Sequence, residues 1–192
     1  YTLCIKLSKD GKELETVRAD FGFRKFKIVN RHLELNNKKM LIKGVNRHDW
    51  SPKTGKAVSF DEMKQDVELM KRANVNFVRA SHYPNGDRFY MLCNRYGLAV
   101  LDENNHEQHA FLRNPAINLP NHVPQMVDRA ENMVFRDRNI PSIMIFSVGN
   151  ESSLLYTLGH KATEQVVRKN SPQHYFMSHG ETYDIINGAP NG

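Results

Sequence analysis

Pro141-Ser142-Ile143-Met144-Ile145-Phe146-Ser147-Val148-Gly149-Asn150-Glu151-Ser152 is the stretch that decides how this chain is read. An unbroken apolar run, opened by proline and closed by glycine, asparagine and glutamate, predicts a strand buried on both faces whose C-terminal end turns abruptly polar. In parallel α/β architectures the carboxyl ends of the strands form the working face. A carboxylate just past such a strand is therefore a candidate acid or base, and Glu151 holds that position.

Working outward from this strand, the chain shows a βα rhythm. Ile42 to Asn46, Asn76 to Ser81, Leu98 to Leu101 and His174 to Met177 predict four more strands. Ser59-Phe60-Asp61-Glu62 is a capping box that opens a helix with Phe60, Met63, Val67 and Met70 at helical spacing. Asp87 is placed to cap a second helix bearing Phe89, Leu92, Cys93 and Tyr96, which Gly97 ends. A third helix carries Met126, Val127, Ala130, Met133 and Val134, and a fourth Leu155, Leu158, Ala162 and Val166, with Pro172 closing it. Strands alternating with helices predict a parallel sheet. No glycine-rich turn follows the first strand at Gly44-Val45-Asn46-Arg47-His48, so a (β/α)₈ barrel leads over a dinucleotide-binding sheet.

Upstream the pattern is different. Tyr1 to Lys6 alternates, Asp10-Gly11 is a turn signal and Glu13 to Ile28 resumes, which predicts a hairpin; Leu33 to Leu35 and Met40 to Ile42 flank Asn36-Asn37 in a second. Residues 1–28 are thus expected to close a β-sandwich or to cover the strands after them, and residues 29–192 to form the first four or five βα units of a barrel. A complete barrel needs about 250 residues. The chain is expected to be a piece of a longer one.

With 192 residues, 40% hydrophobic and 25% charged, the composition is that of a globular chain. The net charge of +6 would permit nucleic-acid binding, but Lys and Arg are mixed with acids, as in Glu68 and Arg72 at i,i+4, and no basic stripe with aromatics emerges. No nucleic-acid partner is expected. Cys4 and Cys93 are too few for a disulfide framework or a thiolate metal site, and both are expected as buried thiols. No apolar run approaches transmembrane length and the N-terminus lacks a signal-peptide layout, so no membrane partner is expected and the location is read as cytoplasmic. The chain starts mid-pattern at Tyr1, which leaves an upstream leader open.

The strand ends share a chemistry. The first runs into Asn46-Arg47-His48-Asp49-Trp50, the second into Ser81-His82-Tyr83-Pro84-Asn85, the third into Asp102-Glu103 and on to Glu107-Gln108-His109, and the decisive strand into Asn150-Glu151. A single histidine at a strand end is an ordinary structural residue; several polar clusters on one rim are a site. Glu107 and His109 sit on the same side of an extended segment. With Glu151 they could hold Mg²⁺ or Mn²⁺ through hard oxygen ligands and one imidazole, although a loop ion pair fits the spacing equally well. Asp102 and Glu103 are read as scaffold charges paired with Arg47 and Arg79, since buried charge needs a partner. Trp50 and Tyr83 suit either sugar stacking or packing.

These residues resemble the bacterial β-galactosidases of glycoside hydrolase family 2. The resemblance runs through Phe21-Gly22-Phe23-Arg24, Lys43-Gly44-Val45-Asn46-Arg47-His48, Arg79-Ala80-Ser81-His82-Tyr83-Pro84-Asn85, Arg95-Tyr96-Gly97-Leu98, Asp102-Glu103, Glu107-Gln108-His109, Arg138-Asn139-Ile140-Pro141-Ser142 and Ser147-Val148-Gly149-Asn150-Glu151-Ser152. It implies the last strands of an immunoglobulin-like sandwich followed by the first half of a catalytic TIM barrel. It further implies Glu151 as general acid/base, Asn150 and His82 as sugar-binding groups, His48 as a transition-state-stabilising group, and Glu107, His109 and Glu151 as Mg²⁺ ligands. A monovalent cation can accompany the full-length parent. The implied reaction is hydrolysis of terminal β-D-galactosides with retention, which needs a second carboxylate as nucleophile.

In the family that nucleophile lies on a later strand, and Glu181, the only glutamate beyond Glu164, comes too early for it. The isolated chain is expected to be inactive. Its implied partners are a β-galactoside and either the remaining domains of the parent or a second copy through exposed strand edges. Relatives that cleave glucuronides share the His-Tyr-Pro and Asn-Glu stretches but lack the Glu-x-His pair, so Glu107 and His109 favour galactoside; a glucuronidase-like enzyme and a non-catalytic sugar-binding module are the alternatives. After Glu151 the family usually continues with glycines and a histidine, where this chain has the bulkier Ser153-Leu154-Leu155-Tyr156, and Asn105-His106 before Glu107 is also unusual.

Overall fold

The computed structural model describes residues 1–107, 120–151, 158–179 and 184–187. The chain opens with β1 (Thr2–Lys9) and β2 (Lys12–Asp20), an antiparallel ribbon turned at Asp10-Gly11, where φ is 52° and 76°. No second layer among the described residues covers it, so Leu3, Ile5, Leu7 and Val17 stay exposed. Cys4 is therefore exposed too, against the expectation of a buried thiol, while Cys93 is buried as expected.

A three-stranded antiparallel meander comes next: β3 (Phe26–Val29), β4 (His32–Leu35) and β5 (Lys38–Met40). Its two-residue turns, Asn30-Arg31 and Asn36-Asn37, have all four residues at positive φ, which matches the twist of tight hairpins. The second turn was legible as Asn-Asn. The first was not, and Phe26 to Ile28 belongs to the meander and not to the first hairpin.

The remainder builds a six-stranded sheet in the order β11-β10-β9-β8-β7-β6. Its parallel strands are β6 (Gly44–Arg47), β7 (Phe77–Ala80), β8 (Ala99–Glu103), β9 (Ile143–Ser147) and β10 (Tyr175–His179), with α1 (Phe60–Arg72), α2 (Asp87–Tyr96), α3 (Val123–Asp137) and α4 (Leu158–Asn170) between them in turn. The strand-helix alternation is that read from the sequence. An antiparallel β11 (Asp184–Asn187) on the far edge was not foreseen.

Alternation along the strands explains the core, with one interruption: the β8–β9 register shifts at Met144, which turns Met144 and Ile145 to the same side. Val78, Val100, Ile143, Phe146 and Phe176 pack against the helices with Val67, Phe89, Leu92, Met133 and Val134. Phe77, Ala99, Leu101, Met144, Ile145 and Tyr175 face the other way, onto Phe26 and the partly buried Leu33, Leu35 and Met40 of the meander. Both faces of β8 and β9 are covered, which is why these strands read as continuous apolar runs, whereas β6 at the edge stays largely exposed.

The helix ends obey local chemistry. Ser59 and Glu62 form the full capping box of α1, and Ser51 Oγ donates to Glu62 Oε1 at 2.6 Å. Those hydrogen bonds, Ser51 foremost, hold the Glu62 carboxyl down to about 2. Gly86, not Asp87, is the N-cap of α2, because Asp87 already lies in the first turn; Gly97 closes the helix at φ 68°. The α3–α4 crossing depends on Gly159, where a Cβ would collide with Met126 Sδ. Leu158 and Ala162, placed on the buried face of the fourth helix by spacing, are exposed and half-buried, and that face is made by Gly159, His160, Thr163, Val166 and Val167. Leu155 lies outside the described residues. No helix among the described residues is long and apolar enough to cross a membrane.

His174, just before β10, is 5% exposed; its ring nitrogens lie 2.6 Å from Ser171 Oγ and 3.1 Å from Ile143 O, and Nε2 also lies 2.5 Å from Arg24 Nη2. Burial first, and the Arg24 guanidinium second, pull it down to about 3, and burial alone takes His160 to about 4. A histidine whose folded pKa is depressed contributes stability above its unfolded value of about 6.5, and that contribution is lost as pH falls through the folded value. Unfolding titrations should show stability falling between about pH 6.5 and 4, with each histidine adding up to about 1.4 kcal/mol per pH unit. His174→Gln should flatten that slope, and an unchanged slope would show that His174 is not buried neutral. Asp102 works in the opposite direction: burial and the neighbouring Asp137 push its carboxyl well up, so its contribution is lost as pH rises.

Candidate active site

Each inward-facing strand row turns polar two residues beyond the meander's footprint. Phe77 gives way to Arg79, Leu101 to Glu103 and Ile145 to Ser147, and the three polar side chains meet. Glu103 is completely buried. Arg79 grips its carboxylate as a fork, Nε to Oε2 at 2.7 Å and Nη2 to Oε1 at 3.0 Å. Ser147 Oγ donates to Oε2 at 2.9 Å, and His82 Nδ1 lies 2.7 Å from Oε1. Donors thus surround the buried charge on every side, the condition for keeping a carboxylate out of water.

Arg79 also reaches Asn150, donating from Nη2 to Oδ1 at 2.8 Å. The other end of that amide donates from Nδ2 to Glu107 Oε2 at 2.7 Å. An isolated parallel bridge pairs Glu107 with Asn150, and Asn150 N donates to His106 O at 2.9 Å. This brings the segment after β8 alongside the one after β9, so Glu107 and Glu151 stand on adjacent strand extensions. Gly149 at φ 149° and Glu151 at φ 42° make the bend that lifts Glu151 out of the strand. A non-glycine residue held in the left-handed region at the end of a buried strand is a feature found where function constrains the backbone.

On the β6 side, His48 is exposed and packs edge-on against the His82 ring, 5.2 Å between centroids, with Tyr83 6.0 Å away. Tyr83 OH donates to Asp49 O at 3.4 Å, and Lys56 Nζ sits 4.7 Å over the Tyr83 ring. Trp50 is exposed, with its ring edge beside Gly55.

The structure therefore brings His48, His82, Asn150, Glu107 and Glu151 to one rim. His109 lies outside the described residues, and among those described no group of three His, Cys, Asp or Glu is placed to hold a metal. Two carboxylates of the predicted ligand set, Glu107 and Glu151, share neighbouring strand extensions, and their hard oxygens suit a small divalent cation.

The scaffold pairing is half right. Arg79 and Glu103 pair, but Arg47 and Asp102 do not. Register places Arg47, Ala80 and Asp102 side by side on the helix-facing side of three strands, which puts the two charged residues two strands, or about 10 Å, apart. Arg47 bonds Asp49, Asp66 and Asn85 instead, at 2.7–2.9 Å, and lies 4.1 Å over the Phe89 ring. Asp102 accepts from Tyr90 OH.

Comparison with known sequences gives this rim a context. The model of the glycosyl hydrolases family 2 TIM barrel domain matches residues 26–182. The chain belongs to glycosyl hydrolase family 2. Among family 2 relatives, a β-galactosidase of Halalkalibacterium halodurans is 44% identical over 162 residues and one of Oenococcus oeni 45% over 172, covering 79% and 88% of this chain. In both cases the chain spans only 16% of the relative. A β-glucuronidase from Ruminococcus gnavus, in complex with D-glucaro 1,5-lactone, superposes with a TM-score of 0.83 at 24% identity, covering 92% of this chain and 31% of that one. That likeness shows the fold alone.

Sequence reading paired Arg79 with the acids after the third strand but did not bring Ser147 to Glu103 or carry Arg79 on to Asn150. The signal was present as period-two alternation: each lies two residues beyond an inward apolar residue of its strand. Two cavities, of about 530 and 540 Å³, open at other places, one lined by Leu35, Met40, Leu98 and Met144 and one by Ile5, Phe26, Arg138 and His174. Neither includes a residue of the rim, so the site is marked by converging polar groups.

Proposed function

We propose that this chain carries the acid/base half of a retaining β-galactosidase site. The observation that supports it best is the fixed amide of Asn150, held between Arg79 and Glu107 with Glu151 next in the chain, in a family 2 barrel segment whose relatives at 44–45% identity are β-galactosidases. Glu151 protonates the departing glycosidic oxygen and then takes a proton from the attacking water. Asn150 and His82 bind sugar hydroxyls, and His48, against His82, adds contacts as charge develops on the ring. A second carboxylate attacks the anomeric carbon. The proposal assigns that group, and the parallel barrel strands that would follow β10, to parts of the protein beyond these 192 residues, as suits a chain spanning a sixth of its relatives.

Glu107, Glu151 and His109 would hold Mg²⁺, or Mn²⁺, which when bound supplies positive charge beside the acid/base; a monovalent cation is reserved for the complete enzyme. Residues 1–28 are assigned to the end of an immunoglobulin-like domain and 29–192 to the barrel. A cytoplasmic location suits two free cysteines. The Glu107-x-His109 pair favours galactoside over the glucuronide of the structurally similar enzyme.

The test is reconstitution. The purified chain alone should give negligible turnover of an aryl β-galactoside, because double displacement needs both carboxylates, and turnover should return on mixing with the complementary remainder of the enzyme. Robust turnover by the chain alone would overturn the division of carboxylates. A second reading, an assembly or sugar-binding module, is favoured by the exposed edge at β6, where Ile42 and Val45 are 39% and 40% exposed. Reconstituted binding without hydrolysis would select it.

A further inference from the structure

Glu103 lies below the rim, and no role in the reaction falls to it in the proposed function. Its surroundings are unusual for a scaffold ion pair. A guanidinium fork fills two of a carboxylate's roughly four acceptor sites, and Glu103 fills the others with the Ser147 hydroxyl and the His82 ring. Two of these partners reach the rim: the His82 side chain is 28% exposed and the Arg79 side chain bonds Asn150, while Glu103 is fully enclosed.

We propose that Glu103 is a positioning residue that fixes the imidazole of His82 with its proton on Nδ1, leaving Nε2 as a hydrogen-bond acceptor for a sugar hydroxyl. The distances decide the tautomer. Nδ1 lies 2.7 Å from Glu103 Oε1, a carboxylate oxygen that can only accept. Its other neighbour, Arg79 Nη2, can only donate but stands off at 3.3 Å. Nδ1 therefore donates to Glu103. In a neutral ring Nε2 then has no proton and can only accept, so His82 selects an O–H of the substrate. The same carboxylate orients Arg79, whose Nη2 holds Asn150 Oδ1 at 2.8 Å. One buried group thereby sets two sugar-binding side chains, His82 directly and Asn150 through Arg79.

Glu103→Gln tests this because the amide cannot satisfy all of its neighbours. Each oxygen position faces two donors, Arg79 Nε and Ser147 Oγ at Oε2 and Arg79 Nη2 and His82 Nδ1 at Oε1. His82 alone can turn from donor to acceptor by moving its proton, and Nη2 keeps Asn150 Oδ1, so the amide oxygen belongs at Oε2. The NH₂ then occupies the Oε1 position against His82 Nδ1, which must become an acceptor and pass its proton to Nε2. Long-range ¹H–¹⁵N spectra of the ¹⁵N-histidine-labelled chain, with His82 assigned by difference against His82→Gln, report the tautomer. The expected result is Nδ1–H in the wild type and Nε2–H in Glu103→Gln; Nε2–H in the wild type, or no change in the variant, overturns the proposal. The wild-type spectrum decides even if the variant fails to fold.

The inference rests on the rim being a sugar site, and a second measurement separates the two. In the complete protein, Glu103→Gln should weaken binding of isopropyl thio-β-galactoside about tenfold to a hundredfold, the effect of a lost and reversed hydrogen bond. Unchanged affinity overturns the claim that the tautomer serves recognition. If the wild type shows Nδ1–H and the variant the switch, but neither binds the galactoside, the positioning stands and the galactoside reading fails.

Discussion

Glutamine in place of Glu151 is expected to slow hydrolysis of an unactivated β-galactoside by about 10²–10⁴-fold in the complete enzyme, the range that general acid catalysis contributes. A dinitrophenyl galactoside, whose leaving group departs without a proton, should lose far less in its glycosylation step. The two substrates should therefore diverge, and a plot of log kcat/KM against leaving-group pKa should steepen. The geometry makes the result interpretable. Glutamine keeps the shape of Glu151, and the neighbouring Asn150 is anchored by Arg79 and Glu107, so the binding groups stay in place. Equal loss on both substrates would remove Glu151 from the acid role.

Much of this architecture can be read from apolar periodicity, because burial on both faces of a parallel sheet and on one face of each helix leaves distinct patterns. The run Ile143 to Ser147 and the stripe Met126, Ala130, Met133 and Val134 are examples, and each is buried as the pattern requires. Capping chemistry was equally local, as at Ser59 with Glu62 and at Gly97. What escaped depends on contacts between distant segments. The Asn30-Arg31 turn carries no strong signal, and Phe26 joins the meander because it packs on Tyr175, with ring centroids 5.7 Å apart. The fourth helix turned its buried face because Gly159 permits close approach to Met126, a fact about α3 and not about the spacing of α4.

The site divides in the same way. His48, His82, Asn150 and Glu151 were visible because each lies just past a strand, and position along a parallel strand already fixes the rim it reaches. The partners of buried charges were not visible, because pairing depends on lateral register as well as on height. Arg47 and Asp102 share a face and stand two strands apart, whereas Arg79 and Glu103 share the opposite face on adjacent strands. Facing had to be combined with strand order before ion pairs could be assigned.

That arrangement makes Arg79 the position where a substitution should cost the fold most. Arg79→Met keeps the apolar stem but leaves Glu103, with no exposed surface, facing only His82 and Ser147. Removing one partner of a buried ion pair strands the other, and about 3–5 kcal/mol should be lost, measured as a drop in the urea midpoint of the chain with an unchanged slope. Adding Glu103→Leu removes the stranded charge. The double variant should recover most of the loss, since well-packed apolar groups can replace a buried ion pair at little or no net cost. A single-variant loss below about 1 kcal/mol, the size expected of an exposed pair, would show that Glu103 is solvated in solution. Recovery of stability need not restore the site. Arg79 also holds Asn150 Oδ1, so in the complete protein the double variant should fold while, on the proposed reading, binding galactoside more weakly than the parent, which separates the scaffold work of the pair from its hold on the Asn150 amide.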